Sequence, residues 1–375
     1  MAAISTLFNM PPKGYTQMKK KLLWFLIVCM ISLSMCVVCS AEGEAGDQST
    51  VIFTDSVGRQ VEVPVEINRI AVSGPLAQIV LFALAPDKLV GIATEWTKEA
   101  EQYLDPVYYQ LPVLGQLYGG KGEMNLEELL HESPQLVIDV GEPKKTIVED
   151  LAKLQEQTGL PFVHVTATIN TMADAFRMLG KLLHMEDEAE KLALYCEEIL
   201  SRTNTILDTI GENGKANLLY CLGAEGQNVI AKNSYHAEII DLLSNNLAVV
   251  DDPSAKGTGN EVDMEQILMW NPDVILFDPD SIYETVKEKE GWQQVKAIQD
   301  GKYYEVPFGP YNWMGFPPSA QRFLGMIWMA QLLYPDVANY DLYTEIARYY
   351  QLFYHCDLTE EQFKTLVANS ISVSQ

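Results

Sequence analysis

Basic side chains are scarce in this sequence. Lysine and arginine together number 26 against 51 aspartates and glutamates, for a formal net charge of −25, and only six of the cations are arginines. Four of the lysines fall within residues 1–40, which leaves 22 basic against 51 acidic groups beyond them. A surface of that sign argues against nucleic acid or anionic membrane as a partner. It suits a cationic docking surface, a cationic or neutral ligand, or solubility alone. Cysteine is also thin. Past residue 40 only Cys196, Cys221 and Cys356 remain, an odd number at wide spacing from which no disulfide framework or zinc site can be read. Catalytic motifs are missing as well. Gly119-Gly120-Lys121-Gly122 lacks the spacing and the Ser or Thr of a phosphate loop, and His131-Glu132 lacks the second His of a zinc-protease helix. No Gly-x-Ser-x-Gly elbow occurs, and His164, His184, His236 and His355 are scattered. The expectation is a protein that is not an enzyme and holds no covalent cofactor.

There is one long apolar run. Lys19-Lys20-Lys21 precedes Leu22–Cys39, and Ser40-Ala41 and an acidic, Gly-containing stretch follow. A basic region, an apolar run and small residues at the exit describe an export signal over 1–41. Met18 is the natural start of such a signal, which makes 1–17 a candidate start-site artefact, and 42–50 reads as a flexible acidic segment. A retained anchor is the rival, since about eighteen apolar residues can span a bilayer. Leu33-Ser34-Met35-Cys36 approaches a lipoprotein cleavage box, with Met a poor fit before Cys, so free and tethered forms stay open. Either way the protein is expected to work outside the cytoplasm. About 335 residues then remain, more than one compact core usually holds, so two lobes are expected.

The chain also says one thing twice. Asn125-Leu126-Glu127-Glu128-Leu129-Leu130 leads through Ser133-Pro134-Gln135 into Leu136-Val137-Ile138. Asp263-Met264-Glu265-Gln266-Ile267-Leu268 leads through Asn271-Pro272-Asp273 into Val274-Ile275-Leu276-Phe277, at a constant offset of 138 residues. Each copy opens with a side-chain cap followed three residues on by Glu or Gln, the capping-box pattern. The prolines cannot continue the helix, and the apolar runs after them read as strands buried on both faces. Glu127 and Glu265 each take the second helical position, where the macrodipole favours an acid by about 0.3–1 kcal/mol.

Around these units the chain alternates strand and helix. A hairpin over Val51–Val65 turns at Ser56-Val57-Gly58-Arg59. Strands are expected at Ile70–Val72, Leu89–Ile92 and Phe162–Val165, with helices at Leu76–Leu84 and Thr146–Gln157, and Pro112-Val113-Leu114 leads into the Gly-rich stretch 115–122. From Asp187 to Ile210 the residues Leu192, Cys196, Ile199, Thr203, Ile206 and Ile210 recur at spacings of three and four, which predicts one long amphipathic helix ended by Gly211. Beyond it, strands near Asn217–Cys221, Leu247–Val250, Val274–Phe277 and Tyr303–Val306 repeat the theme, and the C-terminus is helical and aromatic. The fold class is α/β: two Rossmann-like lobes with parallel sheets, 51–186 and 211–375, joined by a bridging helix over 187–210. A stiff bridge should permit only modest closure on a ligand.

Open parallel sheets bind ligands beyond the carboxyl ends of their strands. Here those ends carry Ser73, Gly74, Trp96, Tyr118, Gly119, Gly141, Glu225 and Tyr235, and the second lobe adds Lys256, Tyr311, Trp313 and Arg322. Each alone could be a turn or packing residue; as a set they line a cleft with flat apolar walls and a few polar anchors. The aromatics suit a planar or bulky metal complex, and Arg322 or Lys256 could meet an anionic group.

With two such lobes, a bridge, an export signal and these motifs, the chain resembles the helix-bridged (class III) substrate-binding proteins of ABC importers. The carriers are Phe53-Thr54-Asp55-Ser56-Val57-Gly58-Arg59, the paired units at Asn125 and Asp263, and Asn312-Trp313 through Pro317-Pro318-Ser319 to Gly325 and Trp328. Leu333-Tyr334-Pro335 and Phe353-Tyr354-His355 with Leu358–Gln362 resemble the tail of the branch that takes iron complexes. The resemblance implies a monomeric extracytoplasmic protein that delivers a metal complex, such as a ferric siderophore, corrinoid or haem, to a permease dimer with its ATPase subunits. The transported ligand would then contain iron or cobalt. It also implies that Glu127 and Glu265 dock to permease arginines. A small oxyanion such as molybdate or tungstate is the alternative ligand. Rivals from other classes are a ligand-sensing module and a metal-cluster oxidoreductase, the latter disfavoured by the three scattered cysteines.

Overall fold

The computed structural model describes residues 49–118 and 123–371. The expected export signal, most of the acidic segment and Gly119 lie outside the described residues. Strands β1 (Thr50–Thr54) and β2 (Gln60–Pro64) form the antiparallel hairpin, in register from Thr50–Pro64 to Thr54–Gln60. Its turn is held by Asp55, whose carboxylate accepts the Val57 and Arg59 backbone N–H groups at 3.1 and 2.9 Å. Arg59 in turn donates to the Phe162 carbonyl at 2.8 Å. The Asp55–Arg59 motif therefore moors the hairpin to the first sheet.

That sheet is parallel, in the order β3 (Ile70–Val72), β4 (Leu136–Gly141), β5 (Phe162–Thr166). The expected strand at Leu89–Ile92 shrinks to single bridges, Ile70–Leu89 and Ile92–Val113. The second sheet centres on β6 (Asn217–Leu222), with β7 (Asn228–Val229), β8 (Asn245–Asn246) and β9 (Asn260–Glu261) as short additions and β10 (Val274–Phe277) and β11 (Tyr303–Glu305) parallel on its other side. The strand expected at Leu247–Val250 does not form. Asn246 accepts the Ala248 N–H at 3.1 Å, a local side-chain turn that competes with the ladder and leaves Val249 66% exposed.

The repeat is structural. Helices Leu126–His131 and Met264–Trp270 begin at caps Asn125 and Asp263, which accept the Glu128 and Gln266 N–H groups at 3.2 and 2.7 Å. Ser133 and Asn271, equivalent by the 138-residue offset, both take left-handed angles, φ 47° and 49°. Gln135 and Asp273, also equivalent, donate their N–H to Arg69 and Asn217 at the heads of the neighbouring strands, at 2.8 and 2.9 Å.

The long helix expected over 187–210 runs from Glu186 to Ile210 and buries Leu192, Cys196, Ile199, Thr203 and Ile206 of the expected stripe, with Ile210 half-buried at its end. It packs on Met172–Leu183, where a Cβ at Gly180 would lie 2.5 Å from that of Ala189. Arg177 joins Glu190 and Glu197 on that side; Arg202–Glu345 and Arg348–Glu198 join the helix to Leu342–Tyr354 of the C-terminal lobe. From Ser49 onward the chain is one compact unit, and one apolar core runs through both lobes, from Ile70 and Leu136 to Leu218, Trp328 and Phe353. Among the described residues no helix is long and apolar enough to cross a membrane.

Because each cap satisfies a helix-end N–H that would otherwise lack an intrahelical partner, Asn125→Ala and Asp263→Ala should each destabilise by about 1 kcal/mol. Urea unfolding of the two single variants checks this, with similar losses expected for both copies.

Candidate functional site

The lobes meet where the carboxyl end of β4 (Leu136–Gly141) approaches the turn at Tyr235. Lys144, three residues past that strand, places Nζ 5.5 Å from the centroid of the Tyr235 ring. The Arg322 guanidinium lies 5.7 Å from the same centroid. Arg322 opens the helix Arg322–Leu333 and is only 5% exposed. It donates from Nη2 to the Tyr235 carbonyl at 2.9 Å and from Nη1 to Glu238, while its Nε is enclosed without a partner among the described residues. Gly315, at φ +121°, packs close beside it: a Cβ there would lie 3.1 Å from Nε. Burial lowers the Arg322 pKa, opposed by Glu238, Tyr235 and Glu142. Burial raises that of Tyr235 to about 12.

His236 continues the wall. Its ring stacks on Phe316 at 4.8 Å and 5°, and Nδ1 lies 3.1 Å from the Gly315 carbonyl. A carbonyl only accepts, so Nδ1 carries the proton and Nε2 of the neutral ring is an acceptor. Burial, reinforced by Arg322, lowers the His236 pKa below 6.5. Beneath lie two buried carboxyl networks. Asp139 accepts from Ser73 and pairs with His164 Nδ1 at 2.6 Å; Asp278 accepts from Tyr220 at 2.7 Å and Asn312 at 2.9 Å. Burial raises the Asp278 pKa.

Of the residues expected at the site, Tyr235 and Arg322 meet here; Ser73 donates to Asp139 within its own lobe, and a Cβ at Gly74 would meet Gln116. A Cβ at Gly141 would touch Leu76, whose carbonyl accepts from Ser319 at 3.2 Å across the lobes. Lys256 is exposed on a loop whose next residue, Gly257, packs against Phe316 and His236. Tyr118 is turned to Asp150, donating at 2.7 Å. Glu225 is exposed and paired to Lys289 at 2.6 Å. The aromatic walls need correcting. Trp313 is fully enclosed in the core, and Trp96 and Tyr311 pack on each other at 5.6 Å, with Trp96 also edge-on to Phe82 at 5.1 Å. Their flat faces are used for packing between lobes, so they are not free to stack on a ligand. Lys144, Glu238 and Phe316 were not expected at the site; only folding brings them to Tyr235. Among the described residues no cluster of three metal-ligating side chains occurs.

Glu127 and Glu265 are both exposed, each one position inside its helix. Beside the second copy is a surface groove of about 700 Å³, lined by Val249, Asp251, Glu261, Asp263, Gln266 and Trp270 among others. It lies on the repeat's side of the lobe, away from the enclosed Arg322 at Tyr235.

His236 couples stability to pH. Its folded pKa is below the unfolded value of 6.5, so the unfolded chain binds more protons in the window between them and stability falls as pH drops through it. Thermal unfolding from pH 7.5 down to about 5 should show this loss, and His236→Gln should flatten it.

Comparison with known proteins accords with this geometry. The family model described as "Periplasmic binding protein" matches residues 70–309. The molybdate-binding protein MolA of Haemophilus influenzae is 23% identical over 333 residues, covering 81% of this chain and 90% of the relative. The Fe(3+)-citrate-binding protein YfmC of Bacillus subtilis is 27% identical over 193 residues, covering 50% of this chain and 58% of the relative. Among solved structures, an ABC transporter solute binding protein from Sulfurospirillum deleyianum superimposes with a TM-score of 0.77 at 29% identity, covering 84% of this chain and 99% of that one. The chain therefore belongs to the periplasmic binding protein family, a family of extracytoplasmic solute-binding proteins and not of enzymes.

Proposed function

We propose that this protein captures a compact anionic iron complex of the ferric-citrate kind at the seam between its lobes and hands it to an ABC permease. The observation that carries the reading is Arg322. An enclosed guanidinium whose Nε–H has no partner among the described residues is costly to leave unsatisfied and matches an anionic oxygen. The named ligand of one relative is ferric citrate. Large flat ligands such as haem or a corrinoid fit less well, because Trp96, Tyr311 and Trp313 are committed to packing. A small oxyanion is the second reading. It needs only a few N–H donors and one cation, and the relative with the broader coverage is named for molybdate.

Delivery assigns the repeat its role. Glu127 and Glu265 are equivalent exposed acids on two lobes, suited to two symmetric basic pockets on a permease dimer.

Calorimetry with ferric citrate and with molybdate tests the ligand. Arg322→Lys keeps the charge but loses the fork, and should weaken binding about 10- to 100-fold, from the 1.5–3 kcal/mol of a charge-assisted hydrogen bond. Unchanged affinity for both ligands would remove Arg322 from the site. For docking, the double variant Glu127→Lys/Glu265→Lys should bind ligand normally and abolish uptake in cells; normal uptake would remove the docking role.

A further inference from the structure

We infer that Lys144 is the N-terminal lobe's half of an anion clamp, closing with Arg322 of the C-terminal lobe on one multiply charged ligand across Tyr235. The inference rests on the anionic-ligand reading above and adds a residue and a charge requirement to it. Lys144 is exposed and forms no ion pair among the described residues, yet its ammonium is over an aromatic ring of the other lobe. An exposed cation–π contact is weak, so the ammonium can leave the ring for a carboxylate or oxyanion at little cost. Arg322 reaches the same ring from the opposite lobe, with its Nε still unpartnered. The two cations on which a bridging anion would sit are thus 5.5 and 5.7 Å from one centroid.

Carboxylates stand nearby and set the charge requirement. Glu238 holds Arg322 from its own lobe; Glu142 acts on both Arg322 and Tyr235 from the facing lobe, and Asp139 acts on Tyr235. Three acids against two cations leave no net positive charge, so a single anionic group that meets only one of the cations gains little by entering. An anion of charge two or more, or one presenting separate anionic groups, gains from both cations at once. Because the cations belong to different lobes, such a ligand also fastens the lobes together, and loss of Lys144 should act on dissociation more than on capture.

The test uses the full exported chain with ferric citrate and sodium molybdate as probes, in calorimetry and stopped-flow at low and high salt. Lys144 is exposed, so Lys144→Met should fold normally. For whichever probe the wild type binds, Lys144→Met should weaken affinity about tenfold, chiefly through faster release, and flatten the salt dependence; Lys144→Arg should restore both. Wild-type binding with an unchanged Lys144→Met overturns the clamp and leaves the anionic reading standing. A wild type that binds neither probe overturns both.

Discussion

The enclosure of the helix Pro75–Leu84 is the constraint on which the rest of this structure depends. It follows β3 and belongs by sequence to the N-terminal lobe, yet every residue from Ala77 to Leu84 is buried. One side meets β4; the other meets Leu342–Tyr354 from the far end of the chain, and His355 lies 3.2 Å from the Phe82 carbonyl. Phe82 takes Trp96 and Tyr108 edge-on at 5.1 and 5.0 Å. A helix without a polar face cannot exist at a solvent-exposed hinge. The lobes must therefore share one core, and the bridging helix lies along it, tied by charged pairs at both ends. A shared packed core of this kind resists large relative displacement of the elements built around it.

The seam inherits that rigidity. Arg322 starts a helix whose residues through Gln331 are buried, and Gly325 within it leaves no room for a side chain against the Trp313 carbonyl. Trp313 is thus a packing residue that fixes the position of Arg322. Glu238 and the Tyr235 carbonyl then hold two of the guanidinium nitrogens, and the third is enclosed without a partner among the described residues. A preset cation with one unused donor needs little reorganisation to meet an anion.

The duplicated unit shows how much local chemistry can specify. Cap, short helix, left-handed residue, proline and buried strand recur at the same offset, and the fold carries each feature in both copies. None of these needs a distant contact, because capping, proline geometry and strand burial are set within about fifteen residues. The bridging stripe was legible for the same reason: apolar residues spaced by three and four along a 25-residue element fit one face of a helix and no strand. Where a local alternative competed, as at Asn246, the sequence pattern misled.

The sequence by itself therefore determined the α/β class with its parallel sheets, the repeat with its exposed Glu127 and Glu265, and the long helix Glu186–Ile210. These follow from periodicity, caps and prolines, which act over short range. Only the tertiary structure decided which strand-end residues face one another. Trp96 and Tyr311 could equally have lined a cleft or packed together, and burial between the lobes made them a pair. Lys144 carries no motif at all. Its meeting with Tyr235 and Arg322 depends on the relative placement of two lobes, which no local spacing encodes.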